Sequence, residues 1–209
     1  MGMLNRFARA VVTRLLTPVA RRLLRAGVSP DAVTVVGTLG VCFGALAFFP
    51  RGELFLGTVV VTAFVFADSV DGTMARLSGR SSAWGAFLDS TLDRVGDAAV
   101  FVGLVLWFTG GGDDRLLAVL ALACLVLGGL VSYIKARAEA LGMSADVGIA
   151  ERADRLVLAL VATGLSGLGV PHVLAVGLWV LAVASLLTCA QRIAVVRRQV
   201  RASRPGGPR

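Results

Sequence analysis

The chain has 209 residues, 56% of them hydrophobic and only 16% charged, with a mean hydropathy of +0.82. Such a composition excludes an ordinary soluble domain, whose surface needs far more polar side chains, and points to a bundle of transmembrane helices. The net charge of +8, from 21 Lys and Arg against 13 Asp and Glu, could suit nucleic acid. Here, however, the arginines gather at the ends of apolar runs, as on cytoplasmic membrane flanks, so no nucleic-acid partner is expected.

In chain order, residues 1–26 carry Leu4, Phe7, Val11, Leu15, Val19 and Leu23 at helical spacing, with Arg6, Arg9, Arg14, Arg21, Arg22 and Arg25 among them. The pattern predicts a basic amphipathic helix lying in the membrane interface. Arg14 interrupts any apolar core that a signal peptide would need. Ser29-Pro30-Asp31 reads as a helix start, with Pro in the first turn and Ser or Asp able to cap. Six apolar spans follow near 31–49, 54–75, 83–108, 115–137, 153–168 and 172–194, separated by Gly- and Pro-containing turns. The expected fold is therefore an all-α integral membrane protein, with six transmembrane helices behind an interfacial helix. One domain covers 1–200, its six-helix bundle spanning 31–194, and the Arg-, Pro- and Gly-rich residues 201–209 read as a disordered basic tail that contacts membrane lipids.

With the amino terminus inside, the outer loops hold only Arg51 and Arg115 of the 21 bases. That asymmetry predicts a multi-pass protein of the cell membrane with both termini cytoplasmic. The three cysteines, Cys42, Cys124 and Cys189, sit singly in apolar runs and read as buried hydrophobes. His172 follows Pro171 in a predicted loop, where a structural role outweighs catalysis.

Chemistry concentrates between spans two and three. Asp68 and Asp71 lie three residues apart, and Asp89 and Asp93 four apart, so on helices each pair projects from one face. The polar stretch 77–83 lets those helices run antiparallel with the pairs facing each other. Carboxylates at membrane depth are costly without compensation, and two divalent cations would balance four of them. Oxygen-only ligation suits Mg²⁺ or Mn²⁺ and not zinc. On the charge-derived topology the cluster opens to the cytoplasm. A divalent-cation transporter would also explain the acids, but not the glycines at fixed spacing nor their place at one membrane face.

Written as spacing, the run is D-x₂-D-G-x₂-A-R-x₈-G-x₃-D-x₃-D, from Asp68 to Asp93. It resembles, without a gap, the signature of the CDP-alcohol phosphatidyltransferase family, and the helix layout around it is also similar. The resemblance implies that Asp68, Asp71 and Asp89 hold one metal ion, that Asp68, Asp89 and Asp93 hold a second, and that Asp93 is the catalytic base. It also implies CDP-diacylglycerol contacts from Asp31, Ala32, Val33 and Thr34 at the start of span one, and from Gly72, Ala75, Arg76, Ser82 and Gly85. Each has a plainer reading: Asp31 as a helix cap, Gly72, Ala75 and Gly85 as small residues for helix packing, Arg76 as a flank charge. Asp97, outside the motif, extends the polar face. A homodimer is implied by the family alone.

The acceptor is read from a second basic group. Ser132, Lys135 and Arg137 end span four, Arg155 begins span five and Arg192 ends span six. Flank charge explains part of this; an anion pocket for an acceptor's phosphate explains it more sharply. The stretches S-Y-I-K-A-R-A-E-A from Ser132 and E-R-A-D-R from Glu151 resemble the actinobacterial phosphatidylinositol phosphate synthase branch. That resemblance implies transfer of a phosphatidyl group from CDP-diacylglycerol to 1D-myo-inositol 3-phosphate, with release of CMP. Glycerol 3-phosphate as acceptor, in a phosphatidylglycerophosphate synthase, needs the same pocket and is the alternative.

Overall fold

The computed structural model describes residues 16–79, 82–149 and 151–202; the side chains of Asp68 and Ser69, most of the amphipathic N-terminal segment and residues 203–209 lie outside the described residues. Among the described residues there is no strand. Helical residues 16–25 (α1) are followed by α2 (Pro30–Phe48), a short 3₁₀ turn (Phe49–Arg51), α3 (Leu54–Ser78), α4 (Ala83–Thr109), α5 (Arg115–Ala140), α6 (Arg152–Gly167) and α7 (Val173–Ala202). A helix therefore stands at each of the six places where apolar periodicity puts a span. Among the described residues four helical stretches are long and apolar enough to cross a bilayer: Pro30–Arg51, Leu54–Ser78, Arg115–Ala140 and Val173–Ala202. The other two fall short for physical reasons. α4 carries four charged residues between Asp89 and Asp97, namely Asp89, Asp93, Arg94 and Asp97, and α6 has 16 residues, against the roughly 20 that a hydrocarbon core requires.

Local chemistry sets the helix ends. Ser29 Oγ accepts the Ala32 N–H at 3.2 Å and starts α2. Ser82 does the same for α4, accepting the Gly85 N–H at 2.9 Å, and Asp114 starts α5 by accepting the Leu117 N–H at 3.0 Å. Glu151 and Asp154 form a reciprocal capping box that fixes the first turn of α6. α3 closes at Gly79, whose φ of 65° an L side chain adopts only with strain.

The chain divides into two compact units, one formed by residues up to Ala47 with Val59–Val100, the other by Phe48–Thr58 and everything from Phe101 onward. In the first, α2 and α3 approach closely enough that a Cβ on Gly40 would lie 2.2 Å from the Phe64 ring, and one on Gly44 2.9 Å from Val60. Ala20 of α1 is buried against Val70 and Met74 of α3, with Leu16, Leu23 and Leu24 around them. In the second unit α7 packs on α5 and α6. Leu178, Leu181, Leu160, Ala121 and Cys124 form buried positions there, and a Cβ on Gly177 would stand 2.6 Å from that of Ala162. Cys124 and Cys189 are buried and Cys42 half-buried, all three as free thiols.

The outward faces are apolar too. Val36, Leu39 and Phe43 of α2 and Leu116, Val119 and Val126 of α5 are each more than half exposed. Contiguous apolar surface of this extent is stable only against lipid or another protein. Together with helices long and apolar enough to cross a bilayer, it marks this as a membrane protein.

The Gly177 contact supplies a stability test. Gly177→Ala is expected to lower the unfolding midpoint, because the α6–α7 contact has no room for the methyl and overpacking costs about 1–3 kcal/mol. Gly129→Ala, where nothing lies within 4 Å, is expected to raise it, the helix gaining up to about 1 kcal/mol of stability. Thermal unfolding of the two variants in detergent micelles or nanodiscs would show opposite signs.

Candidate active site

The first unit contains a cavity of about 230 Å³ lined by residues from three helix ends. The start of α2 contributes Pro30, Asp31 and Thr34; the last turns of α3 contribute Asp71, Gly72, Ala75 and Arg76; the start of α4 contributes Ser82, Gly85, Ala86 and Asp89. Two helix amino termini thus open onto one space, and their unpaired N–H groups and dipoles favour an anion there. Arg76 adds a full positive charge, with its Nη2 donating to Thr73 Oγ1 at 3.2 Å. On the opposite side of the charge balance stand Asp31, Asp71 and Asp89. The Thr34 hydroxyl donates to one oxygen of Asp71, and the Gly72 N–H to the other. Asp71 is thereby oriented from two directions.

The two motif glycines can be assigned by what a side chain would meet. Among the described residues, a Cβ on Gly72 would have only Arg76 Nη1 near it, at 3.5 Å, and one on Gly85 only Ser82 Oγ at 3.3 Å and Asp31 Oδ1 at 3.6 Å. None of these contacts is with apolar side chains or backbone packed from a neighbouring helix; each is a polar side-chain atom of a residue at the cavity. These glycines therefore leave room in the cavity, in contrast to Gly40 and Gly177, whose missing side chains let helices touch.

Seven of the nine residues expected to contact CDP-diacylglycerol line this cavity: Asp31, Thr34, Gly72, Ala75, Arg76, Ser82 and Gly85. Ala32 is exposed, and Val33 packs on the Ala20, Val70 and Met74 cluster; neither lines it, because successive helical residues leave on different faces. Of the four motif carboxylates, Asp71 and Asp89 line the cavity. Asp93 lies one turn further along α4, where Arg94 Nη2 is 3.9 Å from its Oδ2 and 3.6 Å from Asp97. Asp68 occupies the turn of α3 before Asp71, with its side chain outside the described residues. Among the described residues no three acidic, His or Cys side chains gather closely enough to hold an ion unaided. The donors that do line the cavity are carboxylates with no sulfur or imidazole among them, which fits a hard divalent cation and excludes a zinc-type donor set.

The acceptor candidates lie in the second unit. Gly128, Val131, Ser132 and Lys135 share one face of α5 at spacings of three and four. Arg155, 5% exposed, donates from Nη2 to the Gly128 carbonyl at 3.4 Å, and Ser132 Oγ donates to the same oxygen at 3.3 Å. Arg192, 6% exposed, donates from Nη1 to the Val131 carbonyl at 2.6 Å and from Nε to the Val147 carbonyl at 2.9 Å. Lys135 pairs with Asp146 and lies 3.8 Å from Glu139. Its hydrogen bond and charge hold the Asp146 carboxyl below the ordinary carboxylate range. Arg137, two residues on from Lys135, is exposed on another side of α5. Sequence reasoning missed the anchoring of both arginines on backbone carbonyls, and the place of Pro30 and Ala86 in the cavity.

A family model for CDP-alcohol phosphatidyltransferases matches residues 27–146, which contain every residue lining the cavity. The chain belongs to the CDP-alcohol phosphatidyltransferase family. It is accordingly a transferase that uses a divalent metal. It is 56% identical over 205 residues to a phosphatidylinositol phosphate synthase of Streptomyces avermitilis, covering 95% of this chain and 84% of that one. To the corresponding protein of Mycolicibacterium smegmatis it is 50% identical, over 96% of this chain and 91% of the relative. Among solved structures, the phosphatidylinositol phosphate synthase of Mycobacterium tuberculosis with CDP-DAG bound matches with a TM-score of 0.87 and 46% identity, over 93% of this chain and 100% of that one. The same enzyme in complex with manganese and citrate also matches with a TM-score of 0.87, at 46% identity, over 92% of this chain and 93% of that one.

Gly72→Ala separates the two uses of glycine. Its unfolding free energy is expected to stay within about 0.5 kcal/mol of the parent's, as for substitutions that disturb no packing. Transferase activity is expected to fall on the order of tenfold, equivalent to about 1.4 kcal/mol of lost binding. Comparable losses of both quantities would return Gly72 to a packing role.

Proposed function

We propose that the chain transfers the phosphatidyl group of CDP-diacylglycerol to 1D-myo-inositol 3-phosphate, giving phosphatidylinositol phosphate and CMP. The observation that carries this reading is the single cavity joining two helix amino termini, Arg76, two cavity-facing glycines and the Asp71 and Asp89 carboxylates. The named relatives support inositol phosphate over glycerol phosphate as acceptor. The CDP-DAG complex of the tuberculosis enzyme supports the donor.

In this reading Asp68, Asp71, Asp89 and Asp93 hold two divalent ions, Mg²⁺ in the cell and Mn²⁺ as a substitute. When bound, such ions supply the charge that neutralises a diphosphate and stabilises the departing CMP. The chain's own residues do the remaining work. Thr34 holds Asp71 in position. Arg76 and the amino termini of α2 and α4 bind diphosphate oxygens, and Gly72 and Gly85 let the nucleotide approach the backbone. Asp93 accepts the proton of the attacking hydroxyl as the new P–O bond forms and the bond to CMP breaks. Ser132, Lys135, Arg155 and Arg192 bind the acceptor's phosphate, with the guanidiniums of Arg155 and Arg192 already fixed by carbonyls of α5. Nothing in the geometry adds Arg137 to them.

The same reading makes the protein multi-pass in the cell membrane, with six spans, an interfacial amino-terminal helix and both termini cytoplasmic. Charge supports it: Arg51 and Arg115 alone fall in the outer turns. It also takes the enzyme to be a homodimer, whose contact would cover part of the exposed apolar surface; particle mass in nanodiscs tests this.

The decisive experiment follows CMP release from labelled CDP-diacylglycerol in vesicles with Mg²⁺, offering inositol phosphate, free inositol and glycerol phosphate in parallel. Turnover is expected with inositol phosphate alone, to stop with EDTA, and to be abolished in Asp68→Ala and Asp89→Ala, each of which removes a ligand shared by both ions. Turnover with glycerol phosphate in preference would overturn the acceptor assignment.

A further inference from the structure

The connector between α5 and α6, residues 141–149, has no helix of its own after Gly142, yet α7 fixes it along its length. Gln199 clasps Ser144 twice, accepting its N–H at 3.1 Å and donating to its carbonyl at 2.6 Å. Arg192 holds the Val147 carbonyl at 2.9 Å, and Thr188 Oγ1 accepts the Ile149 N–H at 3.3 Å. Ala145 is fully buried. Gly148, at a φ of 135°, passes so close to α7 that a Cβ would lie 2.4 Å from Thr188 Cγ2. Thr188, Arg192 and Gln199, spaced four and seven apart, form one rail on α7.

That rail fixes where Asp146 sits. It is the only acidic residue between 141 and 149, Glu151 beyond it being committed to the capping box of α6, and its carboxylate rests on the Lys135 ammonium, with Ser144 Oγ 3.4 Å away. Lys135 stands on the same α5 face as Ser132 and as the carbonyls that Arg155 and Arg192 bind. An anion supplied by the protein therefore occupies a cation of the group assigned to the acceptor's phosphate.

We propose that Asp146 is an internal competitor for that phosphate: it neutralises Lys135 in the empty site and must be displaced for the acceptor to bind. The inference rests on the acceptor reading given above. Asp146 suits the role because its side chain is 65% exposed. It can leave for water at small cost, whereas a buried carboxylate could not. A phosphomonoester brings up to two charges and three acceptor oxygens against a single carboxylate, so it wins the exchange. Glu139 is less suited: at 3.8 Å it forms an ordinary exposed pair one turn along α5, with no connector to aim it. Asp146 thus sets the threshold at which phosphate, substrate or not, occupies the site.

The test compares the parent with Asp146→Asn, Asp146→Ser, Lys135→Gln and the Asp146→Asn/Lys135→Gln double variant in the same vesicles. For each, the KM for inositol phosphate, the inhibition constant of inorganic phosphate and the KM for CDP-diacylglycerol are measured. Both Asp146 variants are expected to lower the first two together by about two- to fivefold, the size expected for releasing an exposed pair, and to leave the third unchanged. Their exposed side chain and the backbone bonds that hold the connector let either variant carry the test if the other fails to fold. In the double variant the Asp146 change should have no further effect. If Lys135→Gln raises the acceptor KM but the Asp146 variants lower neither constant, the competitor role is wrong and the acceptor site stands. If Lys135→Gln leaves the acceptor KM unaltered, the acceptor site itself is misplaced and the competitor falls with it.

Discussion

Charged oxygens inside an apolar helix bundle are the constraint from which the rest follows. Asp71 belongs to a helix apolar enough to span a bilayer, and an ionised carboxylate there survives only with hydrogen bonds or cations to compensate it. The chain supplies part of that compensation itself, through the Thr34 hydroxyl, the Gly72 N–H and the amino termini of α2 and α4. What it does not supply, a divalent ion would. The same acids explain why α4 fails as a simple apolar span: Asp89, Asp93, Asp97 and Arg94 interrupt its apolar run. Loss of hydropathy in that helix and gain of chemistry are one fact.

Precision in this cavity comes from helix caps. Ser29 and Ser82 each start a helix by accepting an N–H three residues on, which fixes the first turns of α2 and α4 beside the cavity. Arg76 comes from the opposite kind of element, the last turn of α3. A diphosphate held between helix beginnings and a guanidinium would meet donors whose positions are set before it binds, so little ordering remains to be done. The second basic group uses a different device. Arg155 and Arg192 are buried and anchored on carbonyls of α5 and of the connector, which gives long side chains the fixed geometry that surface arginines lack.

Hydropathy located all six main helices within a few residues, because long apolar runs broken by Gly and Pro leave little freedom, except at the end of α7, which continues past the expected 194 through an Arg-rich stretch to Ala202. It could not decide how many of them cross the membrane, since α4 and α6 depart from the norm in charge and in length. Motif spacing found the cavity through Asp71, Gly72, Arg76, Gly85 and Asp89. The block Asp31–Thr34 was legible only in part: the helix carries Asp31 and Thr34 to the cavity and sends Val33 to the core. Ser82 was legible as a contact, but its capping role follows only from the Gly85 N–H it accepts. Arg155 and Arg192 look in sequence like membrane-flank charges. Their burial depends on carbonyls 27 and 61 residues away, and no local pattern announces contacts at that separation. The Lys135–Asp146 pair was hidden likewise, since its geometry comes from α7.

The central claim is that the acidic residues of α3 and α4 jointly hold divalent ions at this cavity. Electron paramagnetic resonance of the purified protein titrated with Mn²⁺ in the presence of CDP-diacylglycerol measures this directly, by counting bound ions and their coupling to each other. Two spin-coupled ions per chain are expected, with both lost in Asp89→Asn. Uncoupled ions, or stoichiometry that survives that substitution, would contradict the account.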